Sequence, residues 1–379
     1  MVVLGKGGSG KSTLLTHWFR LAVAGSLSGG LKSMIPIYLS AADYQTDLMQ
    51  ATSEALRRRF GVPLDRKGDM LRQQMLAGGF LVLFDGLSEI EGEKKKAIDE
   101  IMRTVRDKDL RLCRFIFTTR PIRGIPLDVP TLELLPLTLA MISTVFLPSR
   151  TDLSPEQRDQ VIRQVRIFRD DQIDPLLLAL AIDDSSDPSV SENTSGLFTR
   201  YFRRLLRVES SDQETIWQAW KFVLETFADW FMLSSGKRGI GLQHRQLIQR
   251  MTTYEGNGTL LASVQAIYGL SFTNENMLLD QLAAARILEK GPRWRFQHDL
   301  FEEYFAASRL VTIVEDGKPI VLSAWAAASL GDVANVIEFT KQFATAEVLN
   351  LLIKNELPKV WRDGFLNSDN TQPRQTTGV

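Results

Sequence analysis

The 379-residue chain carries 45 Lys and Arg against 45 Asp and Glu, so no overall electrostatic pull draws it to nucleic acid or to an anionic membrane. An apolar content of 44% and a mean hydropathy of −0.08 fit ordinary buried cores with room for two to four domains, and exclude a disordered chain. One cysteine, Cys113, excludes an internal disulfide and a structural zinc cluster; the longest apolar runs, such as 175–182, fall short of the ~20 residues that span a bilayer, and with no visible signal peptide the expected setting is cytoplasmic, without membrane insertion.

The first element is the short apolar run "MVVL" at 1–4, read as a strand. It leads into Gly5, Lys6, Gly7, Gly8, Ser9, Gly10, Lys11, Ser12 and Thr13, which fit the G-x-x-x-x-G-K-[ST] pattern of a phosphate-binding loop between strand and helix. Phosphate oxygens need many donors at close range, and the glycines let backbone N–H groups turn inward without a side chain in the way. The helix that follows adds its positive dipole end, Lys11 adds a full charge, and the Ser12 hydroxyl suits a magnesium ion. A nucleoside triphosphate with Mg2+ is the ligand these residues predict.

Further strands are predicted at 35–40, 80–85, 114–119 and 131–135, separated by helical stretches. That alternation predicts a parallel sheet covered on both faces, with ligand at the carboxyl ends of the strands. The run "FLVLFD" ends in Asp85, the acid that a phosphate loop requires across the metal. Glu89, four residues on, is the nearest carboxylate able to orient water. Because Gly86 directly follows Asp85, no carboxylate adjoins the metal ligand, and slow hydrolysis is expected. Arg120 leaves the 114–119 strand where a guanidinium can reach a terminal phosphate, or simply sits as a surface arginine.

Beyond 137 the strand signal fades into helical spacing. "SPEQ" at 154–157 and "DP" at 174–175 read as helix starts, and 183–196 as a flexible polar connection. A long helix carries Ile216, Trp220, Val223, Phe227 and Phe231 on one stripe, read as core. "RILEKG" and "RWRFQ" predict two strands around a Gly-Pro turn followed by a helix, the shape of a winged helix. Clusters such as Arg200, Arg203, Arg204 and Arg207 read as solvated helix faces, with no clear nucleic-acid site. Helix pairs are expected over 317–360, and the last dozen residues read as disordered. The resulting division is 1–136, phosphate-loop nucleotide-binding domain; 137–207, helical bundle; 208–310, winged helix; 311–379, C-terminal helices with a tail. The three histidines, His17, His244 and His298, lie far apart with no nucleophile pattern beside them, which argues against a metal or Ser/Cys hydrolase.

Taken in order, "GKGGSGKST", "LVLFDGLSE", "FTTRP", "DPLLLALA" and "FQHDLFEEYFAA" resemble the NACHT family of STAND nucleotide-binding switches, found in NLR-type immune receptors and their prokaryotic relatives, over residues 1 to about 310. The resemblance implies an α/β P-loop NTPase of the additional-strand type, in which the strand before Arg120 lies between those of the phosphate loop and Asp85. It implies ATP or ADP as the nucleotide, an adenine contact near Pro175, and a His298 that touches the inner phosphates in the closed, ADP-bound form. It further implies nucleotide exchange and homo-oligomerisation on activation, signal relay in innate immunity or antiphage defence, and a trigger ligand and effector domain that these residues do not name. Two departures stand out. Ser88 occupies the place of a usual Asp, which removes one water-activating carboxylate. The first strand has four residues, where the family carries an upstream domain, so a core that has lost its front end is the expectation. The competing readings are an AAA-like ATPase with fast turnover and a scaffold that keeps nucleotide only as a structural ligand.

Overall fold

The computed structural model describes residues 1–5, 9–27, 34–41, 44, 47–61, 69–90, 94–120, 129–166, 172–186, 193–235, 241–254, 258–291, 293–317 and 330–354. Two compact units emerge: Met1–Leu137 with Asp174–Leu176, and Thr138–Ile173 with Leu177–Val379.

In the first unit, β1 (Val2–Leu4), α1 (Lys11–Leu27), β2 (Ile35–Ser40), α2 (Leu48–Phe60), α3 (Asp69–Ala77), β3 (Phe80–Asp85), α4 (Lys94–Val105), β4 (Arg114–Thr119) and β5 (Thr131–Glu133) follow in chain order. The strands pair in parallel in the order β2-β3-β4-β1-β5. The strand before Arg120 therefore lies between those of the phosphate loop and Asp85, as the resemblance implies. β5 is shorter than the predicted 131–135; its three residues are exposed at the sheet edge, although Leu134 N–H still donates to Leu4 O at 2.8 Å.

Strand residues alternate between faces, and the register decides what each face carries. Val2, Ile37, Leu39, Phe80, Val82, Phe84, Phe115 and Phe117 share one buried cluster with residues of α2, α3 and α4. The Phe84 and Phe117 rings meet there, centroids 5.9 Å apart. Phe84 pairs with Phe117 and Ser40 with Asp85, so Tyr38, Ser40, Asp85 and Thr118 all project from the opposite face. α1 packs there, with Phe19 edge-on to Tyr38 at 6.0 Å. Period-two alternation thus puts Asp85 on the same side as the helix that opens with Lys11.

β6 (Leu137–Thr138) and β7 (Gln172–Ile173) are two-residue strands where the chain passes between units, and the second unit continues with a helical stretch over 139–149 of α5 (Leu139–Met141), a π turn and α6 (Leu147–Ser149). α7 (Pro155–Arg166) begins with the expected capping box: Ser154 N–H donates to Gln157 at 2.9 Å and Gln157 N–H to Ser154 Oγ at 3.2 Å. α8 (Pro175–Asp183), α9 (Thr194–Leu205), α10 (Glu214–Ser235), β8 (Leu242–Gln243), α11 (His244–Thr252), α12 (Leu260–Tyr268), α13 (Glu275–Ala284), β9 (Leu288–Lys290), β10 (Arg293–Phe296), α14 (Asp299–Glu315), α15 (Leu330–Phe343) and α16 (Ala346–Lys354) complete the chain.

β8, β10 and β9 form an antiparallel sheet in that order, and the predicted strand pair folds as a hairpin with Trp294 opposite Lys290. Gly241 has φ +66°, and a Cβ there would collide with the Trp294 carbonyl, so the approach of β8 needs glycine. The aromatic stripe of α10 is core: Val223, Phe227 and Phe231 are fully buried. Phe198, Phe202, Phe301, Tyr304 and Phe305 bury a second aromatic cluster between α9 and α14. α14 runs unbroken through residue 310.

Two expectations change. Arg200, Arg203 and Arg204 are not a solvated face: Arg200 pairs with Asp184, Arg203 with Glu214, and Arg204 with Asp183 at 2.9 Å and Asp184 at 3.0 Å. By the same pairing, the start of the polar 183–196 stretch is anchored, with Asp184 buried. A buried carboxylate needs such partners because desolvation penalises an isolated charge. The predicted disordered tail lies outside the described residues. Among the described residues no helix is long and apolar enough to cross a membrane.

Asp184 is the buried acid that Arg200 and Arg204 share. Asp184→Ala should therefore lower the stability of the second unit by about 3 kcal/mol, read as an earlier urea transition, whereas Asp152→Ala, in an exposed pair with Arg150, should change it by less than ~1 kcal/mol.

Candidate functional site

The phosphate loop leaves β1 at Gly5, whose N–H donates to Thr119 O at 3.3 Å and whose missing side chain leaves room for Ser9 Oγ. Gly10 has φ +86°, the left-handed conformation that lets the backbone turn into α1. Its carbonyl accepts from Leu14 N–H at 2.8 Å, so helical bonding starts there. Lys6, Gly7 and Gly8 lie outside the described residues. No acid occupies the first turn of α1, so its dipole is left for an outside anion. Ser12 and Thr13 are exposed at this end, and Lys11 Nζ donates to Ser9 Oγ at 3.4 Å.

Electrostatics tie the other predicted residues to this loop. Burial pushes the Lys11 ammonium down to about 8, and the Arg120 guanidinium pushes it the same way; Asp85, Glu89 and Asp174 oppose the fall. All four charges therefore lie within the field of one partly desolvated cation. Asp85 ends β3; one carboxylate oxygen accepts from Tyr38 Oη at 3.0 Å and the other from Thr118 Oγ1. Gly86 follows in a left-handed conformation, and a Cβ there would press on the Glu89 carboxyl at 3.1 Å. Ser88 Oγ accepts from Arg120 N–H at 3.3 Å, joining the ends of β3 and β4. The serine that replaces a usual acid thus has a structural partner.

Pro175 packs over the loop: a Cβ at Gly10 would meet its ring carbon at 3.8 Å. Beside it, Asp174 caps α8 by accepting from Leu176 N–H at 2.8 Å. Burial pushes its carboxyl up to about 6, against the Leu176 hydrogen bond and the Lys11 charge. His298 belongs to the second unit. It precedes α14, its ring stands edge-on to Phe301 at 5.0 Å, and desolvation lowers its imidazole below the usual value against the pull of Glu289.

The first unit thus gathers Gly5, Ser9, Gly10, Lys11, Ser12, Thr13, Asp85, Glu89, Arg120 and Pro175, while His298 sits outside it. Sequence reading missed Tyr38, Thr118 and Asp174. Thr118 stood within the quoted "FTTRP", and a strand alignment of "FLVLFD" with "RFIFTT" would have set it beside Asp85. Tyr38 follows from the same alternation on β2, but Asp174 has no signal beyond its helix-capping position.

A parallel sheet with the phosphate loop between β1 and α1 and Asp85 at the end of β3 defines a P-loop NTPase core, with a mostly helical region after it. Residues 1–167 match the family model of the NACHT domain. This part of the chain thus matches the NACHT domain, a nucleotide-binding P-loop NTPase module, the family that its motifs resemble. No curated protein is similar enough to count as a match. Among solved structures, the chain is similar to the Aeropyrum pernix ORC2 protein in ADPNP-ADP complexes, at 14% identity and TM-score 0.33, over 83% of this chain and 88% of that one. It is also similar to Drosophila ORC bound to DNA, at 13% identity and TM-score 0.36, over 80% of each chain. A Pyrococcus horikoshii STAND protein with a tetratricopeptide repeat sensor shares 13% identity at TM-score 0.36, over 93% of this chain and 47% of that one. Likeness at this level carries no function across.

The depressed Lys11 value sets a pH dependence. Between about 8 and the ordinary 10.5 the unfolded chain holds a proton that the folded chain has lost, so this group's contribution to stability rises with pH across that window. Phosphate binding needs the opposite, a charged Lys11. ADP affinity should therefore fall as pH rises above about 8, approaching tenfold per unit, in a fluorescent-nucleotide titration from pH 7 to 9.5; the phosphates, with a second pKa near ~6, do not titrate there. A flat profile would show that Lys11 does not carry the phosphate contact.

Proposed function

We propose that this chain is a nucleotide-operated switch that binds ATP or ADP with Mg2+, exchanges nucleotide on activation and self-associates to relay a signal, hydrolysing slowly. The observation that carries the reading is the convergence of Asp85, Glu89, Asp174 and Arg120 on the partly buried Lys11 at the head of α1. A partly desolvated ammonium at the head of a helix, next to a glycine-rich turn, is suited to a phosphate from outside.

The Ser12 hydroxyl and the Asp85 carboxylate are hard oxygen donors that fit magnesium, which commonly takes one or two protein ligands and completes its shell with phosphate and water. Among the described residues no group of three or more His, Cys, Asp or Glu is placed to hold a metal by itself. When bound, the ion supplies charge neutralisation for the phosphates. The loop residues Gly5 to Thr13 cradle the phosphates, with Lys11 on the outer ones. Arg120 serves the terminal phosphate, Glu89 orients water, and Pro175 packs against the base. With Ser88 holding Arg120 N–H, Glu89 is left as the acid of this turn to serve the water, which supports slow hydrolysis.

His298, desolvated and held neutral near pH 7, can donate from one ring nitrogen to an inner phosphate of ADP. Residues 137–207 act as a helical bundle, 208–310 as a winged helix around the β8–β10 sheet, and 311–379 as the start of a C-terminal region that receives a trigger. Shifting such a switch from 1:99 to 99:1 takes about 5.5 kcal/mol, and a hydrogen bond to a charged group contributes roughly 1.5–3 kcal/mol. Two or three phosphate contacts made in one state alone are enough.

Lys11→Ala should weaken ADP binding by about 10- to 100-fold, the equivalent of 1.5–3 kcal/mol, in a calorimetric titration. In light scattering, wild type with ADP should stay smaller than wild type with ATP, and His298→Ala should lose that difference. Identical size distributions in all four samples would remove the switch and leave a scaffold with structural nucleotide; steady turnover of several per second would favour an AAA-like ATPase.

A further inference from the structure

Asp85 is held by more than its strand. Its two carboxylate oxygens accept from hydroxyls on the two neighbouring strands, Tyr38 Oη on β2 at 3.0 Å and Thr118 Oγ1 on β4. Thr118 Oγ1 in turn accepts from Gly86 N–H at 2.9 Å, which fixes the hydroxyl so that its hydrogen points at Asp85. The Tyr38 ring is steadied by the edge contact with Phe19 on α1.

Packing alone does not account for this pair. Phenylalanine at 38 would keep the contact with Phe19, and valine at 118 would fill the same buried volume. What the hydroxyls add is direction. An ionised carboxylate has about four lone-pair sites; two hydroxyl donors use two of them and leave one on each oxygen. The carboxylate plane is thereby set before any ligand arrives, on the face of the sheet where α1 begins.

We propose that Tyr38 and Thr118 are positioning residues for the magnesium-nucleotide site: they orient Asp85 toward the Ser12 end of α1 and touch neither nucleotide nor metal themselves. The inference rests on the nucleotide reading above and adds two residues to it. Partners that orient a metal ligand typically change metal affinity by about 10- to 100-fold when lost.

The test measures the ADP dissociation constant by calorimetry in excess Mg2+ and again in EDTA, so that the gain from magnesium is read separately from the grip of the loop. Tyr38→Phe and Thr118→Val should each reduce the magnesium gain by about tenfold and leave the EDTA value within about twofold of wild type. Thr118→Ser, which keeps the hydroxyl, should retain the wild-type gain. An undiminished gain in both hydroxyl-less variants would overturn the proposal. So would an equal loss of affinity with and without magnesium, which marks a merely structural role. Wild-type protein that binds ADP without any magnesium gain would overturn this inference alone; wild-type protein that does not bind ADP would overturn the nucleotide reading as well.

Discussion

A lysine ammonium kept partly from water is the constraint around which the first unit is organised. Desolvation alone penalises the charged form, and the nearby guanidinium of Arg120 adds to the penalty; the carboxylates of Asp85, Glu89 and Asp174 offset it. Those groups come from the ends of β3 and β4, the turn between β3 and α4, and the head of α8. They can meet only because the parallel sheet directs the carboxyl ends of its strands to one edge. Had β4 been placed at the edge of the sheet, Arg120 and Thr118 would have been separated from one of their partners. The order β2-β3-β4-β1-β5 is therefore a condition of the electrostatics.

The second unit meets its own demand, that of burying long aromatic helices without stranding their polar residues. α9 illustrates the solution: Phe198 and Phe202 enter the aromatic cluster, while Arg200, Arg203 and Arg204 find carboxylates on both sides of the helix in sequence. Similarly, Glu225 is buried in α10, where desolvation raises its carboxyl, and it accepts from Ser308 on α14 at 2.6 Å with Lys221 at 3.6 Å. Buried polar groups of this kind specify one packing of a pair of helices, since any slip separates them.

Much of this was legible from residue order. The inner strands β1, β3 and β4 were visible because strands covered by helices read as short apolar runs, whereas β5, exposed at the sheet edge, is shorter than its apolar run suggested; "SPEQ" and "DP" marked helix starts through capping chemistry that is local to a few residues. The phosphate loop, Asp85 and Arg120 were legible for the same reason, as each lies at the end of a recognisable strand. What stayed hidden depends on pairing between distant segments. Arg200 and Arg204 read as a solvated face because their partner, Asp184, sits in a stretch whose composition suggests a linker. Tyr38 and Thr118 read as ordinary strand residues, because only the register of β2 against β3 and of β3 against β4 puts their hydroxyls beside Asp85. His298 was named by resemblance alone, and its own surroundings show an imidazole against Phe301.

α8 joins these two sets of constraints through the covalent chain. Its first residues, with Asp174, belong to the phosphate-loop unit, where Pro175 lies over Gly10 and Asp174 faces the field of Lys11. Its last turn belongs to the other unit, where Asp183 and the following Asp184 are held by Arg204 and Arg200. A phosphate that takes over Lys11 in the proposed switch changes the charge opposite Asp174 within the first unit. The ion pairs of the second unit, for their part, give a physical reason for Asp183 and Asp184 to be clamped at a place where composition alone suggests slack.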